Sequence, residues 1–117
     1  MGNLPAGAYY LAGYAVECAL KACIARSTLA HDFPQKTRVL ESYTHDLSKL
    51  LRTAGLERPF DQAAAASPTL DRNWTIVKDW KETSRYDSTI DMKKARALYN
   101  AVTAQRAGVL TWLRQLW

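Results

Sequence analysis

The stretch Ala8-Tyr9-Tyr10-Leu11-Ala12-Gly13-Tyr14-Ala15-Val16-Glu17-Cys18-Ala19-Leu20-Lys21-Ala22-Cys23-Ile24 decides the fold of this chain. It is apolar almost all the way round a helix, and it carries one acid and one base a single turn apart. A helix apolar on every side belongs inside a bundle rather than on its surface. Ala8, Ala12, Ala15, Ala19 and Ala22 recur at spacings of four and three. Such a stripe of small side chains lets a neighbouring helix approach closely. Glu17 and Lys21 form an i,i+4 pair in the favourable order. A pair of this kind marks either the solvated edge of the helix or a polar site inside the bundle.

Outward from that stretch, helical signals continue. Pro5 suits a first helical turn, so helix one is expected from about Pro5 to Arg26. The segment Ala30-His31-Asp32-Phe33-Pro34 reads as a turn, with a short helix from Gln35 to Glu41 after it. Next comes Thr44-His45-Asp46-Leu47, where Thr44 is the expected N-cap and Asp46 complements the first turn. Leu47, Leu50, Leu51 and Ala54 form its apolar face, and Gly55 suits the C′ position. A helix is expected from Pro59 to Ala66, and broken helical segments from Pro68 to Lys81. Residues 83–89 read as a loop. The last helix is expected from Asp91 to Gln115, interrupted near Gln105 and Arg106, with Gly108 admitting a bend. No segment alternates as a strand does. The expectation is an all-α antiparallel bundle of four to five helices, one domain over residues 1–117.

Composition sets bounds on function. The 117 residues carry 48% apolar and 23% charged side chains, with a net charge of +5. The isoelectric point is about 9.4. A moderately basic domain suits either RNA and nucleotides or plain solubility. Cys18 and Cys23 point roughly 140° apart on one helix, so they cannot bridge each other. Buried free thiols in a reducing cytoplasm are expected, and no zinc spacing is present. The first residues lack the basic region of a signal peptide. The run from Tyr9 to Ala25 is broken by Glu17 and Lys21, so no membrane span and no membrane partner are expected.

The residues Leu11-Ala12-Gly13-Tyr14-Ala15-Val16-Glu17-Cys18-Ala19-Leu20-Lys21-Ala22 resemble the leading motif of the HEPN superfamily. Thr44-His45-Asp46-Leu47, then Trp74, Trp80 and Arg85-Tyr86, then a long last helix, resemble the family's later features in order. The resemblance implies an antiparallel helical bundle, commonly a homodimer. It implies either a metal-independent ribonuclease, often a toxin paired with a nucleotidyltransferase antitoxin, or a module that binds RNA or nucleotides without cleaving. Family members usually carry a further helix before the segment that matches here. Only seven residues precede Ala8. The expectation is that this first family helix is missing, leaving the alanine stripe for a partner to cover.

The ribonuclease members carry Arg, four to six residues, then His, late in the bundle. Arginine holds phosphate, and histidine moves protons near neutral pH. Arg26 and His31 match this spacing, as do Arg38 and His45. Both pairs stand in the first half of the chain. At the late position Arg85 is followed by no histidine, and Ile90, Asp91 and Met92 stand where one would fall. The balance is against catalysis, with no metal and no cofactor expected. Lys78, Trp80, Lys81, Arg85 and Tyr86 are the candidate ligand-binding residues, the aromatics to stack bases and the cations to hold phosphates. The competing reading of the tryptophans is core or dimer packing. His45 likewise has a purely structural reading, a hydrogen bond inside the bundle. The partners expected are a second copy, a nucleotidyltransferase, and RNA or a nucleotide. A purely structural interaction protein is the third alternative.

Overall fold

The computed structural model describes residues 4–30 and 42–116. These form six α-helices and one 3-10 turn, with no strand among the described residues. We number the helices α1 (Leu4–Ala30), α2 (Leu47–Thr53), α3 (Glu57–Ala66), α4 (Pro68–Val77), α5 (Met92–Thr103) and α6 (Val109–Arg114). The 3-10 turn spans Glu82–Tyr86, between α4 and α5. The all-α bundle read from the sequence is therefore what this chain forms. The expected turn at His31 and short helix at 35–41 lie outside the described residues.

Helix α1 organises the rest. It packs against α5, the 3-10 turn, α2 and α6. Its inward arc carries Ala6, Tyr9, Ala12, Val16, Ala19, Leu20, Cys23 and Ile24, all buried. The opposite arc is not covered by the described residues, which corrects the expectation of a helix enclosed on every side. Positions 4, 8, 11, 18, 22 and 25 are exposed and Ala15 is half-buried. The alanine stripe divides accordingly: Ala12 and Ala19 face the core, Ala8 and Ala22 face outward. The thiols divide too. Cys23 is buried, and burial pushes its thiol up, whereas Cys18 is exposed.

Local chemistry explains the shorter helices. Asp46, not Thr44, is the N-cap of α2, and its Oδ1 accepts from Lys49 N at 3.1 Å. Thr44 sits two residues back, and its hydroxyl oxygen accepts from the Asp46 amide. The aspartate wins because its side chain reaches the third amide of the helix, the one an N-cap must satisfy. Leu47, Leu50, Leu51 and Ala54 are buried as their spacing predicts, and Gly55 follows at φ +74°. Helix α4 starts at Pro68 after a Ser67 cap and runs unbroken to Val77. Phe60 of α3 packs at 5.4 Å from both Trp74 and Trp112, which ties α3, α4 and α6 together.

The expected last helix is two helices. Helix α5, capped by Asp91, ends at Thr103 with Ala104 as its C-cap. Asn73 donates to the Ala107 carbonyl at 2.8 Å, and Thr111 donates to the Ala104 carbonyl at 2.7 Å. Asn73 thereby satisfies a carbonyl in the broken segment, and the Ala104 carbonyl takes the Thr111 hydroxyl beside the Gly108 amide at 3.0 Å. A Cβ at Gly108 would collide with the backbone of Val102 and Ala104, so only glycine lets the chain double back here. No helix among the described residues is long and apolar enough to cross a membrane.

Candidate ligand-binding site

Two residues of α1 and two of the 3-10 turn form a stack on one surface. Tyr10 and Tyr14 are one helical turn apart, and their rings stack with centroids 5.7 Å apart and planes 19° apart. The Arg85 guanidinium lies 5.4 Å from the Tyr10 centroid and 4.7 Å from the Tyr86 centroid. The order along the surface is Tyr14, Tyr10, Arg85, Tyr86. Each step is a ring-on-ring or cation-on-ring contact of ordinary range. Tyr86 is 71% exposed, so the stack ends on an open aromatic face. A hydrogen bond with Cys18 raises the Tyr14 phenol above its ordinary range.

Trp80 anchors this stack from below. Its ring lies 6.0 Å from that of Tyr10, but Trp80 is only 3% exposed. It sits directly over Gly13, where any Cβ would run into the indole ring. Trp80 therefore cannot stack a base face to face, which corrects that expectation. The alternative reading, a packing tryptophan, holds. Its Nε1 and the Ser84 hydroxyl are buried without a hydrogen-bond partner among the described residues.

Beside the stack lies an open cavity of about 440 Å³. Residues 44–46 form one wall and residues 78–83 the other. Lys78, Lys81 and His45 line it together with Asp46, Asp79 and Glu82. Asp46 is committed to capping α2. Asp79 and Asp87 reinforce burial in raising the Tyr9 phenol. Asp87 itself is held low by the Thr89 hydroxyl and amide that donate to it.

His45 is held by a buried carboxylate. Its Nδ1 lies 2.8 Å from Glu17 Oε1, and Lys21 Nζ lies 3.3 Å from Glu17 Oε2. Glu17 is 2% exposed. The Glu17–Lys21 pair falls between its two readings: the carboxylate is buried, whereas Lys21 and His45 reach it from the solvated edge of the bundle. The bond to Glu17 fixes Nδ1 as the protonated ring nitrogen when His45 is neutral, and leaves Nε2 as the free one.

The other sequence candidates fall apart. Arg26 Nη1 donates to the Leu116 carbonyl at 3.3 Å and ties α1 to the end of α6. His31 and Arg38 lie outside the described residues. Lys93 and Arg96 are exposed on α5, while Lys94 Nζ stands 5.5 Å over the Tyr9 ring. Tyr10, Tyr14 and Glu17 were not among the candidates. The i,i+4 spacing of the two tyrosines and the lone acid in an apolar run were the available signals. No group of three or more His, Cys, Asp or Glu side chains that could hold a metal ion occurs among the described residues. Comparisons with protein-family models, with curated proteins and with solved structures each find no match to this chain.

Proposed function

We propose that this chain is a HEPN-type binding module for RNA, engaged through unpaired bases. The observation that carries the reading is the exposed stack of Tyr14, Tyr10, Arg85 and Tyr86. Every base has a π-face, so an open tyrosine ring accepts bases with little regard to sequence. Arg85 contributes charge within the stack, and Lys78 and Lys81 supply cations in the adjoining cavity. The net charge of +5 favours a polyanion over a neutral ligand. The HEPN resemblance adds the expectation of a cytoplasmic protein that acts as a homodimer beside a nucleotidyltransferase.

The test is a fluorescence titration with a short single-stranded RNA. Saturable binding that weakens with salt is expected. Tyr86→Ala and Arg85→Ala, both exposed and free to fold, are expected to weaken it about 5- to 150-fold each, the range for loss of one stacked base. Wild-type affinity in both variants would overturn the reading.

A metal-independent ribonuclease of a toxin–antitoxin pair is the second reading. The Glu17–His45 bond favours it, because a carboxylate on Nδ1 orients a histidine for proton transfer at Nε2. Incubation of the RNA with protein in a chelator separates the two. Intact RNA is expected. Cleavage that His45→Ala abolishes would replace binding by catalysis.

A further inference from the structure

The cavity beside the tyrosine stack is not a simple phosphate cradle. His45, Lys78 and Lys81 share its lining with three carboxylates, Asp46, Asp79 and Glu82. A bare phosphate there would meet repulsion as well as attraction. Such a lining suits a ligand that brings hydrogen-bond donors along with its negative charge. Asp46 caps α2, and Asp79 is exposed and acts on the Tyr9 phenol. Glu82 has no such task. It is half-buried, and its carboxylate makes no hydrogen bond or ion pair among the described residues.

Glu82 opens the 3-10 turn that also carries Arg85. Such a turn has three residues per revolution, so side chains at i and i+3 eclipse, about 6 Å apart along the axis. Glu82 and Arg85 therefore project from the same edge. They form no ion pair, because the Arg85 guanidinium lies against the Tyr10 and Tyr86 rings instead. The turn thus sets an unpartnered carboxylate one step from the cation of the aromatic stack. That carboxylate lines a cavity of about 440 Å³, the size range of small-ligand sites.

We infer that Glu82 selects guanine among the bases that the tyrosine stack admits. This rests on the RNA-binding reading above and adds a choice of base to it. A carboxylate offers two acceptor oxygens side by side and takes two parallel N–H bonds. On its Watson–Crick edge guanine presents two adjacent donors, N1–H and the N2 amino group. Adenine and cytosine present one donor beside an acceptor, and uracil presents one donor between two acceptors. Each of these sets a lone pair against the Glu82 oxygens. Single-stranded RNA leaves this edge open to be read. The base rests against the stack, its edge turns into the cavity, and the neighbouring phosphates pass Lys78 and Lys81. The rings supply affinity without choice, and the carboxylate supplies the choice.

The experiment is a fluorescence titration of the full chain with uridine pentanucleotides that differ only in the central base: guanine, hypoxanthine, adenine, cytosine or uracil. Guanine is expected to bind about 5- to 150-fold tighter than adenine, cytosine or uracil, the range for one bidentate base contact. Hypoxanthine, which lacks the N2 amino group, is expected to fall between. Glu82→Gln keeps the shape of the side chain and exchanges an acceptor for a donor. It is expected to remove the guanine preference while the all-uracil RNA binds at least as tightly as before. Tyr86→Ala is expected to weaken binding of all five. Equal affinity for every central base, with binding still weakened by Tyr86→Ala, would overturn this inference and leave the RNA-binding reading standing. A guanine preference that survives Glu82→Gln would overturn the assignment to Glu82. Saturable binding of none of the five would overturn both.

Discussion

Gly13→Ala is expected to destabilise the protein by about 2–3 kcal/mol, although alanine is the better helix former. Gly13 lies inside α1, and in an open helix alanine would gain about 1 kcal/mol over glycine. At this position the added methyl runs into the Trp80 indole. Overpacking a filled core costs about 1–3 kcal/mol and sometimes more, and a collision with the ring itself belongs at or beyond the upper end. The steric cost therefore outweighs the propensity gain. Gly7→Ala in the same helix is the control, because a Cβ there meets nothing within 4 Å. It is expected to stabilise by about 0.5–1 kcal/mol. Chemical denaturation of the three proteins checks both signs. The two alanines moving stability in the same direction would contradict the Gly13–Trp80 contact. Displacement of Trp80 also removes the ring beneath Tyr10, so Gly13→Ala is expected to weaken RNA binding as well.

The second large effect belongs to Glu17. Its carboxylate is buried and has two partners, His45 and Lys21. Lys21→Ala or His45→Ala alone leaves one partner in place, so each is expected to cost about 1–2 kcal/mol. The double variant strips a buried charge of both, which costs about 3–5 kcal/mol. Its loss should exceed the sum of the single losses, the sign of groups acting on one shared partner. Adding Glu17→Gln to the double variant removes the bare charge and is expected to restore part of the stability. Denaturation midpoints at neutral pH read all four variants. Additive losses with no recovery by glutamine would show that the carboxylate does not need its partners.

Much of the fold was written locally. The caps at Ser67 and Asp91, the proline at Pro68, Gly55 and the leucine spacing of α2 each act within one or two turns. The end of α1 was less plain, since neither glycine nor proline follows Arg26 before Pro34, and the helix continues to Ala30. The break at 104–108 depends on Asn73, some thirty residues away in the chain. No helical period reveals a bond of that kind. The burial of Glu17 is similar: its spacing to Lys21 was legible, but its second partner, His45, comes from another helix entrance.

The site divides in the same way. Arg85 and Tyr86 were legible as a basic-aromatic pair, and they form half of the stack. Tyr10 and Tyr14 were hidden in an apolar run where tyrosine reads as core. Only the docking of the 3-10 turn on α1 turns them into a surface. Trp80 carried the same sequence signal as Tyr86 and has the opposite environment, because Gly13 provides the space that buries it.

The most direct measurement is a two-dimensional amide NMR spectrum of the protein during titration with a short single-stranded RNA. Binding at the tyrosine stack predicts progressive, saturating shifts at Tyr10, Tyr14, Arg85 and Tyr86, with smaller ones at His45, Lys78 and Lys81. Shifts confined to α3, α4 and α6, or a spectrum unchanged at saturating RNA, would contradict the account.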